Sequence, residues 1–109
     1  MLALGLAAVA GAALPQPQER VIRIVARKFE YSPSEITLQK GVPVVLELTS
    51  EDVIMGFSAP DFKAGAEIVP GKVARVRLVP DRVGSFDFFC DVFCGEFHED
   101  MAGKIHVVA

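Results

Sequence analysis

The chain has little positive charge and no cluster of basic residues. Its 11 lysines and arginines are outnumbered by 14 aspartates and glutamates, for a formal net charge of -3. It therefore lacks a positive patch of the kind that binds the phosphates of DNA or RNA, which argues against a nucleic-acid partner. Its 109 residues, 51% of them hydrophobic, suit one small domain with its own core and leave no room for a second.

The sequence also lacks an apolar run long enough to cross a membrane as a helix. Residues 1–14 carry no charged side chain, but a spanning helix needs about 20 apolar residues. No cysteine follows this run at which a bacterial lipid anchor could be attached. We interpret residues 1–18 as an apolar leader resembling a secretory signal, plus a short linker, although the usual basic residues before the apolar run are missing.

Ala-x-Ala sequences at 8–10 and 10–12 are two candidate cleavage sites for this leader. A buried N-terminal helix or a cloning remnant is the alternative interpretation. Export would take the protein to the periplasm or another oxidising space, where disulfides form. A disulfide between Cys90 and Cys94 is therefore an alternative to metal binding by these two residues.

Residues 19–109 have the pattern of an all-β domain, for which we predict a Greek-key β-sandwich. The seven prolines and nine glycines of the chain separate short runs in which apolar side chains recur at every second position. In one run Val44, Leu46 and Leu48 share a face, as expected of a core strand. Similar runs predict strands at 21–29, 36–38, 44–49, 72–79, 85–90 and 104–108.

Both cysteines, one of the two histidines and one of the three methionines fall within one short segment. They are Cys90, Cys94, His98 and Met101, with the spacing C-x3-C-x3-H-x2-M. Thiolate, thioether and imidazole donors favour copper over hard ions such as Mg²⁺ or Ca²⁺, which take oxygen ligands. We therefore predict that these four side chains bind one or two copper ions.

The predicted strands place this segment in a loop that is held at both ends. Alternation puts Phe86, Phe88 and Cys90 on one face, so Cys90 lies where a core strand ends. Another strand is predicted to begin near Ala102. A loop anchored in this way suits electron transfer, because a site whose geometry changes little between redox states has a low reorganisation barrier.

The segment FFCDVFCGEFHEDMAGKI resembles the copper loop of CuA cupredoxins, which include the periplasmic domain of cytochrome c oxidase subunit II and the C-terminal domain of nitrous oxide reductase. The earlier segment KFEYSPSEITLQKGVPVVLELTSEDV is similar to the preceding strands of these domains. The resemblance implies a cupredoxin fold over residues 19–109. The ligands that it implies are the bridging thiolates of Cys90 and Cys94, the imidazole of His98, the thioether of Met101 and, more weakly, the backbone carbonyl of Val92.

One position departs from the family pattern. Where the family has a further histidine ligand, in a motif that reads D-V-x-H-x-F, this chain has DVIMGF, with Met55 in place of the histidine. A thioether is a softer and weaker ligand for Cu(II), so Met55 would bias the site toward Cu(I) and raise its potential. Met55 is thus a candidate replacement ligand. Because it shares strand parity with Val53 and Phe57, core packing is an alternative, and an altered site that binds no metal is a third.

Other candidate residues are weaker. His106 has the outward parity of the last predicted strand, which is typical of a solvated surface histidine. Cys94 and His98 are close in sequence, but no oxyanion-stabilising or orienting group is evident for nucleophilic catalysis. Four acidic residues could guide a basic partner such as a cytochrome, or could simply be solvated. These are Asp91, Glu96, Glu99 and Asp100.

Two functions are consistent with these residues. In the first, the domain carries single electrons to or from a cytochrome or respiratory copper enzyme and catalyses nothing alone. In the second, it is a periplasmic Cu(I)-binding protein that delivers copper to a respiratory oxidase or reductase. Met55 favours the second, whereas Phe93 and Phe97, which would shield the site from water, favour the first. A domain separated from, or partnered with, a larger respiratory enzyme is a third interpretation.

Overall fold

The computed structural model describes residues 20–92 and 101–109, which form nine β-strands and one turn of 3-10 helix. The leader and linker predicted for residues 1–18 lie outside these ranges, as do Cys94 and His98. Within the ranges, no helix is long and apolar enough to span a membrane. The strands are β1 (Arg20–Arg27), β2 (Glu30–Ser32), β3 (Glu35–Gln39), β4 (Val44–Ser50), β5 (Met55–Ala59), β6 (Ala64–Ile68), β7 (Ala74–Leu78), β8 (Gly84–Phe89) and β9 (Ala102–Val108), and the 3-10 turn is Pro60–Phe62.

The strands form two sheets that pack face to face. One sheet has the order β2, β1, β4, β7, and the other has the order β3, β9, β8, β5, β6. Two neighbouring pairs are parallel, β1 with β4 and β3 with β9. Parallel neighbours cannot be joined by a hairpin, so the chain crosses to the other sheet between them. The predicted all-β sandwich is confirmed.

Alternating side chains explain which faces of the sheets meet. In β4, Val44, Leu46 and Leu48 are at most 1% exposed, whereas the residues between them are partly exposed. The same alternation buries Ile105 and Val107 of β9. Each such side chain contributes about 1.5–3 kcal/mol when it is buried, so the two inner faces hold the sandwich together.

The sandwich has two distinct ends. At the loop end, β8 finishes at Phe89 and β9 begins at Ala102, as the sequence predicts for the two ends of the copper loop. At the far end, β1 begins at Arg20 and β9 finishes at Val108. β1 runs parallel to β4, and both point toward the loop end.

The sequence patterns do not predict the hairpin of β5 and β6. Its strands, MGFSA and AGAEI, contain glycine and alanine where large apolar residues would mark a strand. The two strands nonetheless form an antiparallel pair, in which Met55 lies opposite Ile68. The predicted strand parity of Met55 is correct with respect to Phe57, which is also buried. It is wrong with respect to Val53, which lies before the strand and is 37% exposed.

Candidate metal centre

Cys90 directly follows β8, and its backbone is tied to the start of β9. Its side chain is 4% exposed, on the same inner face as the fully buried Phe88. Its N–H donates to the carbonyl of Met101 at 3.2 Å, one step beyond the paired Phe89 and Ala102. The β8–β9 ladder therefore extends to Cys90 and Met101, which confirms that core strands hold both ends of the predicted loop.

Two backbone groups of the described residues are hydrogen-bonded to the Cys90 sulfur. The N–H of Gly56 donates to Sγ at an N···S distance of 3.3 Å. The thiol itself donates to the carbonyl oxygen of Val92 at 3.0 Å. An N–H donor stabilises the negative charge of a thiolate, which is the form in which cysteine binds metals. The structure thus brings together the Cys90 sulfur and the Val92 carbonyl, two of the donors implied by the sequence resemblance.

Gly56 lies so close to the start of the Cys90 loop that a side chain there would force its neighbours to move. A Cβ on Gly56 would lie 3.1 Å from the backbone nitrogen of Asp91 and 3.0 Å from Cγ2 of Val92, and it would overlap the Asp91 carboxylate. The missing side chain lets the β5 backbone approach the thiol directly. No sequence pattern marks this role, because the contact joins residues 34 positions apart.

Tyr31 is hydrogen-bonded to the same glycine. Its phenol O–H donates to the Gly56 carbonyl at 2.7 Å in a buried hydrogen bond. The residue is 2% exposed, and its ring packs edge-on against Phe88 and Phe57, with centroid distances of 4.9 and 6.5 Å. A buried hydroxyl needs such an acceptor, since an unsatisfied one costs about 1–3 kcal/mol. Tyr31 is the second residue of this site that the sequence does not indicate.

Both candidate methionine ligands are buried. Met55 and Met101 are 0% exposed and belong to the same core cluster as Cys90. Met55 is the first residue of β5 and directly precedes Gly56. This position is compatible with packing and with metal binding, since a thioether both fills a core and binds Cu(I).

Two polar contacts at the loop end join the last residue of β1 and the bend after it to the connection between β4 and β5. The Arg27 guanidinium pairs with the Glu51 carboxylate at 3.0 Å, and the Asp52 carboxylate accepts the Lys28 N–H at 2.8 Å. The hydrogen bond and charge of Arg27 lower the pKa of Glu51, and Glu51 raises the pKa of Arg27. Both side chains are solvated, so water screens their attraction. The two contacts help to position the segment that leads into Met55.

His106 lies away from the loop, within β9 and on its outward-facing side. Its Nδ1 is 2.8 Å from the Ser85 hydroxyl oxygen and its Nε2 is 2.8 Å from a Glu35 carboxylate oxygen. The side chain is 35% exposed. This location agrees with the predicted surface histidine, and the two hydrogen bonds to adjacent strands give it a structural role.

The described part of the site has donors that fit copper. The sulfur atoms of Cys90, Met55 and Met101 are soft donors of the kind that copper prefers, and the Val92 carbonyl is a harder oxygen donor beside Cys90. Among residues 20–92 and 101–109, no three His, Cys, Asp or Glu side chains converge on a point that could hold a metal. The predicted ligands Cys94 and His98, and the alternative Cys90–Cys94 disulfide, involve residues outside those ranges.

The two-sheet sandwich is the fold of a cupredoxin-like domain. The sequence profile of the cupredoxin-like domain family matches residues 1–107, and the chain belongs to this family. It is 34% identical over 91 residues to cytochrome c oxidase subunit 2 of Thermus thermophilus, across 84% of this chain and 67% of that protein. It is 32% identical over 92 residues to nitrous-oxide reductase of Ralstonia nicotianae, across 81% of this chain and 14% of that protein. The resemblance stated from the copper-loop residues is confirmed.

The chain is shorter than these relatives. It covers 54% of a second cytochrome c oxidase subunit 2 from Thermus thermophilus. It therefore spans about half to two thirds of the subunits and a small part of the reductase.

Solved structures share the same architecture. The periplasmic domain of cytochrome oxidase subunit II from Bradyrhizobium japonicum superposes with a TM-score of 0.77 at 17% identity, across 87% of this chain and 88% of that chain. The metal-binding domain of a Cu(I)-exporting P-type ATPase from Streptococcus pneumoniae gives a TM-score of 0.69 at 23% identity, across 88% and 92%. At these identities the likeness concerns the fold alone.

Proposed function

We propose that the protein is an exported cupredoxin that binds copper and carries single electrons. The proposed ligands are Cys90, Cys94, His98 and Met101, with Met55 and the Val92 carbonyl as further donors. The Cys90 sulfur gives the most direct support. It is buried, accepts the Gly56 N–H, and lies 3.0 Å from the Val92 carbonyl.

Family membership supports the same general function. The chain is a cupredoxin-like domain related to subunit 2 of cytochrome c oxidase and to nitrous-oxide reductase. One relative is a subunit of an oxidase and the other is a reductase of which this chain covers 14%. We propose that this domain passes electrons without catalysing a reaction alone.

Copper bound at this site would supply a one-electron couple between Cu(I) and Cu(II). The chain itself supplies rigidity and a dry environment. The backbone hydrogen bond between Cys90 and Met101 fixes both ends of the loop, and burial keeps water from the Cys90 sulfur. The Gly56 N–H offsets the negative charge of the thiolate in either redox state. A site held in this way reorganises little when an electron arrives or leaves.

The loop end also has features suited to a transient redox partner. Val53 and Ile54, on the connection that precedes Met55, are 37% and 45% exposed, and the acidic Asp91 is exposed beside Cys90. Apolar contacts with a charged rim are typical of protein interfaces, and the charge would attract a basic partner. We propose a cytochrome or a respiratory copper enzyme as that partner, in the periplasm or another exported location.

Copper stoichiometry, with optical and EPR spectra of the reconstituted protein, tests this proposal. Two coppers per chain with a delocalised hyperfine pattern would indicate a binuclear electron carrier, and one copper with a strong thiolate charge-transfer band would indicate a mononuclear redox site. A protein that takes up no copper under reducing conditions would contradict the proposal.

The second candidate function is Cu(I) delivery, which the buried Met55 thioether favours. Soft thioether donors stabilise Cu(I) and weaken binding of Cu(II). A delivery protein would hold Cu(I) tightly, form no stable Cu(II) state, and pass the ion to an apo oxidase or reductase. Stopped-flow oxidation of the Cu(I) form separates the two functions, because only the electron carrier cycles between both states without losing the metal.

A further inference from the structure

We infer that Tyr31 is a positioning residue for the copper site, which it controls through the backbone of Gly56. The inference rests on the proposed copper function and adds a residue that the ligand motif does not contain. The Tyr31 hydroxyl holds the carbonyl of the same glycine whose N–H donates to the Cys90 sulfur.

Gly56 carries two functional hydrogen bonds on adjoining peptide groups. Its N–H donates to Cys90 Sγ at 3.3 Å, and its carbonyl accepts the Tyr31 hydroxyl at 2.7 Å. A glycine backbone is conformationally permissive, so its direction must be fixed by its partners. The buried phenol supplies such a partner, which keeps the N–H aimed at the sulfur.

The packing around Tyr31 keeps its hydroxyl in a fixed position next to the Gly56 carbonyl. The residue is 2% exposed, and its ring is packed edge-on against Phe88 at 4.9 Å and Phe57 at 6.5 Å. Both phenylalanines belong to strands that carry the site, since Phe57 follows Gly56 and Phe88 lies two residues before Cys90. The phenol therefore has little freedom to release the carbonyl.

The hydrogen bond also argues against a radical role for this tyrosine. Oxidation of a phenol releases its proton to a nearby base, but the acceptor here is a peptide carbonyl, which is a poor base. The group is thus suited to holding a position. An N–H bond to a thiolate withdraws charge from sulfur and so favours the reduced metal, which means that weakening it lowers the reduction potential.

The direct test is Tyr31→Phe, which keeps the packed ring and removes only the hydroxyl. We expect the variant to bind the same amount of copper. Its preference for Cu(I) over Cu(II) should fall about tenfold, which lowers the reduction potential by about 59 mV for one electron. In the metal-free protein, the Gly56 amide should exchange with solvent faster. The matched control is Ser50→Ala, which removes another hydroxyl at the loop end, one that donates to the Val53 carbonyl at 2.6 Å and accepts the Asp52 N–H at 3.3 Å.

A second test strengthens the bond instead of removing it. Tyr31 is the only tyrosine of the chain, so growth on 3-fluorotyrosine modifies this position alone. The fluorinated phenol is a stronger donor, and we expect the potential to shift upward, opposite to Tyr31→Phe. This substitution also covers the case in which the phenylalanine variant fails to fold.

The outcomes separate this inference from the proposed function. Opposite shifts for the two Tyr31 changes, with no shift in Ser50→Ala, would support it. Equal shifts in Tyr31→Phe and Ser50→Ala, or unchanged exchange of the Gly56 amide, would overturn it while leaving copper binding intact. If the wild-type protein binds no copper, the proposed function fails, and the inference that Tyr31 controls a copper site fails with it.

Discussion

The backbone N–H of Cys90 donates to the carbonyl of Met101 at 3.2 Å. This bond closes the base of the segment that carries the four predicted ligands, in the way that the last bond of a ladder closes a β-hairpin. The strands therefore hold Cys90 and Met101, the first and last of the predicted ligands, in place without a metal. Metal-free protein should already have both ends of the site in position.

Replacement of either cysteine should abolish copper binding. Cys90→Ala and Cys94→Ser each remove one of the two thiolates that we propose as ligands, and the chain has no other cysteine to replace it. We expect loss of the thiolate charge-transfer band and of at least one bound copper per chain. Retained copper spectra in Cys94→Ser would contradict the ligand assignment. Circular dichroism checks that the sandwich is intact, and titration with a thiol reagent should count one remaining cysteine.

Met55→Leu separates a ligand from a packing residue. The exchange nearly conserves volume, so we expect the free energy of unfolding to fall by less than about 1.5 kcal/mol. If Met55 binds copper, Cu(I) affinity and the reduction potential should both fall. Met55→His should also lower the potential, because imidazole supports Cu(II) better than a thioether does.

Ile68→Val is the matched control for the Met55 variants. Ile68 lies opposite Met55 in the β5–β6 pair and is also 0% exposed, and this change typically costs about 0.5–1.5 kcal/mol. It alters the same packing without touching a sulfur atom. If Met55→His leaves the metal content and spectrum unchanged, Met55 is a packing residue.

Gly56→Ala should damage the site more than the fold. The new Cβ would lie 3.1 Å from the Asp91 backbone nitrogen, so the start of the loop must move, at a cost of about 1–3 kcal/mol. We expect most of the copper binding to be lost with it. Gly41→Ala is the control, since its φ of +80° and open surroundings give backbone strain of about 1–3 kcal/mol without contact with the loop. Equal copper loss in both variants would assign the effect to general destabilisation.

The Arg27–Glu51 pair should make stability pH-dependent. Arg27 lowers the pKa of Glu51 below its ordinary value of 4.5, so the folded state binds this proton less readily than the unfolded state. The contribution of the Arg27–Glu51 pair to the free energy of unfolding is therefore complete above pH 4.5. It is lost as the pH falls through the lowered pKa of Glu51 in the folded state. Urea unfolding should show that Glu51→Gln destabilises the protein at neutral pH and has no effect in strong acid.

Salt and a control variant check that assignment. Because the pair is solvated, high salt should reduce the difference between wild type and Glu51→Gln. Glu67→Gln is the matched control, since it removes the charge of a carboxylate for which the described part of the chain shows no ion pair. A pH profile that is the same for both variants would exclude Arg27 as the cause.

The sequence predicts the sandwich well because its strongest strands alternate clearly. Leu46 and Leu48 mark the core face of β4, and Cys90 falls at the end of β8 as the alternation requires. The β5 strand escapes prediction because glycine, serine and alanine surround Phe57, and they carry no hydrophobic period.

The neighbours of the site were less accessible to prediction than its proposed ligands. Ligand residues have a recognisable chemistry and spacing, but Gly56 and Tyr31 act through backbone atoms and through partners 34 and 25 positions away along the chain. Such contacts depend on how the strands and the two sheets pack against each other. Only the folded structure shows which peptide group faces the Cys90 sulfur.

The positions of Arg20 and Val108 at the far end have a practical consequence. A tether attached next to either residue would join the sandwich on the side remote from Cys90 and Met101. The domain could then be fixed to an electrode or fused to a second protein without covering the end that carries Cys90 and Met101. Voltammetry of such an oriented layer would give the potential of the site without a diffusing partner.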